Sequence, residues 1–347
     1  MSMMQTILTA YGLDENTAKV KPFGTGLINH TWLVNSGDDN FILQRINHNI
    51  FKAPQQIADN LHMIGTYLAE KYPDYLFVMP ERTLGNEDML HLPDSGYYRS
   101  FNFVKNSHSI DVVNSTQQAY EAAAQFGRFT RLLAGFPSER LNTTLPDFHN
   151  LTLRYAQFED ALKNGNQERI KEAETIIDYL KSQKNIADTY EEICRSGEFK
   201  KRVTHHDTKI SNVLFDDNDN GLCVIDLDTV MPGYFISDVG DMMRTYLSPV
   251  NEEEKDFSRI TIRNEYFNAI RAGYLSEMSA ELTEKEKQHF VYAGKFMIYM
   301  QALRFITDHL NNDQYYGAAY EGHNFVRANN QAVLLKLLIE KESELSF

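Results

Sequence analysis

Basic residues are the scarce charge in this chain: 34 Lys and Arg stand against 48 Asp and Glu, for a formal net charge of −14. That balance argues against nucleic acid and against an anionic membrane as partners, because basic side chains supply most of the attraction to both. It leaves room for a phosphate-bearing small molecule, whose charge a divalent cation and backbone donors neutralise, and for a cationic substrate. Solubility is the simplest account of the excess. Cysteine is scarcer still. Cys194 and Cys223 lie far apart and form neither a disulfide framework nor a zinc motif, so a reducing cytoplasm is the expected compartment. No apolar run approaches the length of a membrane helix. Met1–Thr6 lacks the basic flank and apolar core of a signal peptide. There is no internal repeat and no low-complexity linker. The remainder is ordinary: 347 residues, 42% hydrophobic and 12% aromatic, enough for a large core shared by two units.

Two lobes are expected, 1–104 and 105–347. The first mixes short strands with one or two helices. Lys19–Gly24, Thr31–Asn35 and Asn40–Ile46 read as antiparallel strands separated by turns at Gly24-Thr25-Gly26 and Ser36–Asp39. Pro54–Glu70 places Ile57, Leu61, Ile64 and Leu68 on one helical face. Further strands are expected at Leu76–Met79, Met89–Leu92 and Tyr97–Val104, the last leading into a hinge. From Asn114 the pattern is helical. A helix capped by Asn114 or Ser115 runs through Leu133, and others cover 150–163, 166–182, 184–196, 238–247, 252–275, 283–310 and 322–345.

One segment carries chemistry. His205-His206-Asp207-Thr208-Lys209-Ile210-Ser211-Asn212 contains an Asp, four residues and an Asn, the core of a kinase catalytic loop. Phosphoryl transfer needs a carboxylate beside the attacking hydroxyl and hard oxygen ligands for magnesium. Asp207 suits the base, Asn212 and Asp226 the metal. His205 occupies the position of a structural histidine two residues before the base. Lys200–Thr204, Val213–Phe215 and Leu222–Ile225 read as the short strands that frame such a loop, and Asp216–Gly221 as a turn. A metal cluster of His205, His206, Asp207, Asp226 and Asp228, as in helical His-Asp phosphohydrolases, conflicts with a strand at 222–225. A calcium loop starting at Asp216 puts Leu227 at the twelfth position, where a bidentate Glu is needed.

These segments resemble the aminoglycoside-phosphotransferase-like kinases, whose fold is α+β and bilobal like that of protein kinases, with a small β-sheet amino-terminal lobe and a mainly helical carboxy-terminal lobe. Within that group the chain is similar to the N-acetylhexosamine 1-kinases. The likeness rests on Gly26–Thr31, Phe41–Asn47, His205–Asn212, Val224–Gly233 and Arg304–Asp308. It implies ATP and Mg2+ as cofactors and a small-molecule acceptor, the anomeric hydroxyl of an N-acetylhexosamine. It also implies Asn29, His30, Arg304 and Asp308 as acceptor-binding residues, and Asp238 as a support of the catalytic loop that also suits a helix start. Tyr315 and Tyr316 could stack on a sugar or serve packing. Asp228 either assists the metal, orients Asp226 or bonds loop backbone. Other acceptors (homoserine, choline, another sugar, an aminoglycoside) and a non-catalytic nucleotide-binding module stay open.

The amino-terminal segment departs from the kinase pattern. Gly24 and Gly26 form a short glycine turn, not a full glycine-rich loop. The strand that usually supplies a lysine reads Ile42-Leu43-Gln44-Arg45. Gln44 holds the lysine register, while Arg45 has the charge and reach. Alternation along a strand prevents both from facing the phosphates, and charge favours Arg45. Asp59 is the acidic candidate on the following helix.

Overall fold

The structure, a computed structural model, describes residues 2–24 and 28–345. The first lobe begins with α1 (Met3–Ala10), a helix that the sequence reading missed although its capping box was legible. The Ser2 hydroxyl accepts from Gln5 N, and the Gln5 side chain accepts from Ser2 N at 2.7 Å. Strands β1 (Lys19–Pro22), β2 (His30–Ser36) and β3 (Asp39–Ile46) follow as an antiparallel meander. After α2 (Pro54–Lys71) come β4 (Pro80–Glu81), β5 (Leu90–Leu92) and β6 (Gly96–Asn102). The sheet order is β1-β2-β3-β6-β4, with β5 also on β6. The strand expected at Leu76–Met79 is extended but unpaired, and pairing starts at Pro80.

The two faces of this sheet do different jobs. Val34, Leu43 and Tyr98 pack with Ile7 and Leu8 of α1 in a small core of their own. On the other face Ile46 joins the much larger core that contains α2 and the second lobe. Helix α2 is thus tied to both lobes. Its buried Asn60 donates to the carbonyls of Asn142 (2.9 Å) and Val230 (3.1 Å) and accepts from Asn142 N.

The second lobe holds β7 (His108–Ser109), α3 (Thr116–Leu132), α4 (Leu151–Asn164), α5 (Gln167–Glu172), α6 (Glu174–Ser182) and α7 (Asn185–Ser196). Next come β8 (Arg202–Thr204), β9 (Val213–Phe215), β10 (Gly221–Val224) and β11 (Met231–Gly233). Last are α8 (Phe235–Tyr246), α9 (Asn264–Met278), α10 (Glu284–Gln288), α11 (Phe290–Leu310), α12 (His323–Glu340) and α13 (Glu342–Leu345). Ser115 caps α3, its hydroxyl accepting from Gln118 N. Glycines let the long helices approach closely: a Cβ at Gly240 of α8 would lie 2.4 Å from the Ala293 carbonyl of α11.

The helix expected over 252–275 starts only at Asn264. The acidic run before it serves ion pairs instead. Glu252 is held between Arg244 (2.7 Å) and Arg327, and the two guanidiniums outweigh its burial and keep its carboxyl below the usual range. The helices expected over 166–182, 283–310 and 322–345 are each broken in two, at Ala173, His289 and Lys341. Among the described residues no helix is long and apolar enough to cross a membrane.

Candidate active site

Between the lobes, β8 runs into the loop His205–Lys209, a 3-10 turn at Ile210–Asn212, and the β9–β10 hairpin. The polypeptide then passes through Asp226, with φ +59°, into a second 3-10 turn at Leu227–Thr229. Leu227, Val213 and Val224 are buried beneath, so the polar residues at 207, 212 and 226 are carried on a packed apolar base.

The loop is fixed mostly through its backbone. Asp238, in the first turn of α8, accepts from His205 N (3.0 Å) and His206 N (2.7 Å). It therefore braces the loop and does not cap its own helix, whose N-cap is Tyr234. Burial pushes its carboxyl up to about 7, against the pull of those two donors. Asp241, one turn on, accepts from Thr208 N at 2.9 Å, and the Tyr246 hydroxyl donates to the Thr208 carbonyl at 2.6 Å.

His205 lies edge-on to Phe126 (ring centroids 5.1 Å apart). Its Nε2 donates to the Ile225 carbonyl (2.9 Å) and its Nδ1 accepts from Asp207 N (3.3 Å). It joins the two halves of the site as a neutral ring, and burial lowers its pKa accordingly. His206 donates from Nδ1 to the carbonyls of Thr204 and Thr229. His205 thus has both ring nitrogens committed to backbone groups, and His206 has its Nδ1 so committed. No group of three or more His, Cys, Asp or Glu that could hold a metal occurs among the described residues.

His206 gives a pH signature. Burial pushes its pKa from the ordinary 6.5 down to about 4. The folded chain then holds fewer protons than the unfolded one between those values. The contribution to stability is full above pH 6.5 and disappears as pH falls toward 4, about 3 kcal/mol in all. The His206→Asn variant keeps a residue suited to the φ of +67°. The stability gap between wild type and variant should narrow by that amount across the interval in denaturant titrations. A gap independent of pH would refute the assignment.

Asp207 projects into the cleft, and Lys209 Nζ lies 3.3 Å from its Oδ2. Burial pulls the Lys209 ammonium down, but Asp207, Asp241 and Asp226 together outweigh it and raise its pKa. Lys209 was not singled out from the sequence, although a basic residue two positions after Asp207 was visible there. Asn212 Nδ2 donates to the Asp207 carbonyl (2.8 Å), and its carbonyl accepts from Ile225 N. That turns the amide so that Oδ1 is the end left to offer. Asp226 is open to the cleft on one side and crowded by protein on the others. The crowding, then Asp228 and Asp207, hold its carboxyl above the usual range, while Arg99 and Lys209 oppose this. Clustered carboxylates that repel one another beside a free amide oxygen suit a hard dication, and Asn212 and Asp226 fit as its oxygen ligands.

Asp228 does not share that task. Its Oδ1 lies 2.5 Å from Arg99 Nη1, off the line of a good hydrogen bond, and its Oδ2 accepts from Asn29 Nδ2 at 2.7 Å. Arg99 had no part in the sequence reading. Its Nε and Nη2 both donate to Gln44 Oε1, at 3.0 and 2.8 Å, across the directly opposed pair of β3 and β6. Gln44 thus faces the cleft. Arg45 is corrected: it shares its face with Leu43 and Tyr98, toward α1, because alternation turns it away. His30 is corrected for the same reason. It pairs with Arg45 in register and stacks on Trp32 (6.2 Å), away from the loop. Asn29 is corrected too. Its amide is occupied by Asp228 on one side and by Asn47 N (3.0 Å) on the other, so it joins lobes and is not free for an acceptor. Asp59 is exposed and met by Gln55, not by Arg45. Gly24 adopts φ +77°, a conformation that glycine takes without strain. Gly26 lies outside the described residues.

Arg304 and Asp308 share a helix face but do not pair. Asp308 is buried and accepts from Tyr315 N (2.7 Å), Tyr316 N (2.9 Å) and Asn324 Nδ2 (3.1 Å). The expectation that it binds acceptor is corrected: its lone pairs hold the segment after α11 in place. Arg304 leans over the Tyr316 ring (5.3 Å) and approaches Gln301 and the Tyr315 hydroxyl. A cavity of about 460 Å³ opens here between α4 and α11, lined by Arg154, Gln157, Asp160, Arg304 and Tyr315. A series of ring contacts connects it with the loop: Arg304 lies over Phe148 (5.8 Å), Phe148 stacks on His149 (4.4 Å), and His149 is 5.3 Å from the His206 ring.

A strand-rich lobe, a helical lobe and an Asp-bearing loop between them define a protein-kinase-like phosphotransferase. The chain belongs to the phosphotransferase enzyme family (APH), whose model matches residues 19–276. It is also similar in fold to a microcompartment-associated aminopropanol kinase, with TM-score 0.67 and 16% identity over 99% of this chain and 97% of that one. A spectinomycin phosphotransferase solved with ADP and spectinomycin matches with TM-score 0.63 and 12% identity, covering 98% and 97% of the two chains. A choline kinase from Cryptosporidium parvum matches with TM-score 0.58 and 14% identity, covering 99% and 95%. The protein is thus an enzyme with a small-molecule kinase fold.

Proposed function

We propose that this enzyme transfers the terminal phosphoryl group of ATP to the anomeric hydroxyl of an N-acetylhexosamine, N-acetylglucosamine or N-acetylgalactosamine, giving the sugar 1-phosphate. Asp207 orients the acceptor hydroxyl and takes its proton. Asn212 Oδ1 and the Asp226 carboxylate would hold magnesium, which would supply charge neutralisation for phosphoryl transfer. Lys209, in reach of Asp207, places a positive charge beside the same oxygens. Gly24 and Gly26 are assigned to the nucleotide phosphates. The nucleotide part of the reading is supported by the spectinomycin enzyme's complex with ADP.

The single observation that favours a sugar over the amino alcohols and aminocyclitols of the neighbours is the charge of the cavity. Arg154 and Arg304 both line it. Burial, then the charge of Arg304, lowers the Arg154 pKa. A cationic acceptor needs carboxylates or an aromatic cage. Here Asp308 is consumed by three N–H donors, Asp160 accepts from Asn164, the rings of Tyr315 and Tyr316 face Arg304, and two guanidiniums line the space. Guanidinium, amide and phenol groups suit neutral hydroxyls and an acetamido carbonyl, and the volume lies within the range of about 300–1,000 Å³ usual for small-molecule sites.

The test is nucleotide consumption with magnesium across N-acetylglucosamine, N-acetylgalactosamine, plain hexoses, homoserine, choline and an aminoglycoside, with products identified by phosphorus NMR. A sugar 1-phosphate is expected, and Arg304→Ala should raise KM for that sugar about tenfold to a hundredfold. Turnover of choline or an aminoglycoside with none on sugars would sink the acceptor assignment.

A further inference from the structure

Kinase sites of this type place a lysine on the third strand, and this chain has Gln44 there. The positive charge is nevertheless present in the sheet, one strand over. Arg99 is 1% exposed, in the middle of β6 and directly opposite Gln44. Among the described residues it is the buried cation of the amino-terminal sheet; Arg45 faces α1, and Lys19 and Lys21 of β1 are not buried. Two of its donors are spent on Gln44 and the third reaches Asp228, a residue of the other lobe.

Asp228 is held on all sides. Arg99 meets one oxygen, Asn29 donates to the other, and the Thr144 hydroxyl donates to its backbone carbonyl at 2.7 Å. Asn29 is in turn anchored to Asn47 at the end of β3. Arg99 of β6 and Asn29, just before β2, therefore converge on one buried carboxylate, two residues beyond Asp226. A guanidinium presented by a glutamine has a fixed orientation, which a free lysine lacks.

We infer that Arg99 is a positioning residue that supplies, from the neighbouring strand, the positive charge the third strand lacks: it locks Asp228, and with it the turn that carries Asp226, against the amino-terminal sheet. The role rests on the proposal that Asp226 and Asn212 hold a magnesium nucleotide. Arg99 acts on Asp226 through Asp228. A partner one step removed from a metal ligand governs its orientation, and such partners commonly affect affinity nearly as much as the ligands do.

The experiment is calorimetric binding of ADP with and without magnesium, which needs no acceptor. Arg99→Gln alone would strand a buried carboxylate, so Arg99→Gln with Asp228→Asn leaves a neutral pair that still folds. That double variant should weaken magnesium–ADP binding by about 10- to 100-fold, with a smaller change for metal-free ADP. A second variant, Gln44→Arg with Arg99→Gln, returns the guanidinium to the lysine register and should recover most of the loss. Wild-type affinity in the neutral pair overturns the inference. So does a folded strand-swapped variant as weak as the neutral pair, since Asp228 would then have its cation without benefit. Wild-type protein that binds no magnesium–ADP overturns the nucleotide reading and the inference together.

Discussion

Replacing Asp207 by Asn should lower kcat by about 10²- to 10⁴-fold, the contribution usual for a general base, while leaving nucleotide affinity close to wild type. The two readouts separate because the side chain and the main chain of Asp207 do different things. The loop is held by its backbone: Asp238 receives the two preceding N–H groups, Asn212 donates to the Asp207 carbonyl, and His205 accepts from Asp207 N. Asn at 207 disturbs none of these. It removes only the carboxylate that would take the hydroxyl proton, and frees Lys209 from its partner. Single-turnover assays and ADP calorimetry on the same preparation measure both quantities. Substantial retained turnover would remove Asp207 from the role of base.

Asp226→Asn should do the reverse of what a core mutation does: activity falls while stability rises. A metal ligand is worth several kcal/mol in the transition state, so kcat/KM should drop by about 10²- to 10³-fold or more. The folded chain, without metal, loses a carboxylate that protein crowding and the neighbours Asp228 and Asp207 hold above its ordinary range. A group raised in this way favours the folded state below its unfolded pKa and loses that contribution as pH rises through the folded value. The advantage of the Asn variant should therefore appear above about pH 4, the unfolded value of an Asp, and grow toward neutrality. Asn also tolerates the φ of +59° at this position. Thermal melts in chelator across that range give the stability side. A variant less stable than wild type at pH 7 would show that Asp226 has a structural partner that this account omits.

The catalytic segment was legible because its parts are local. Asp207 and Asn212 lie on one loop, Asp226 ends the strand that follows, and the short β-branched runs around them announce a hairpin. The periodic helices at 54–71 and 116–132 were legible for a similar reason. Other features were not. The irregular stretch over 252–263 looked helical because propensity cannot see that Glu252 is needed between Arg244 and Arg327, two residues distant in the chain. Asp308 looked like a group free for acceptor because its three donors come from segments 7 to 16 residues away.

The sequence by itself determined the reaction class, since spacing along one loop and strand places Asp207, Asn212 and Asp226 together wherever that loop is folded. Only the tertiary structure decided where the balancing charges stand. A strand presents alternate residues to opposite faces, and one cannot tell from Gln44-Arg45 which face meets the cleft until α1 covers the other. Once it does, Arg45 is directed away, and the cation beside Asp228 comes from residue 99, some fifty positions downstream, because β6 pairs directly with β3.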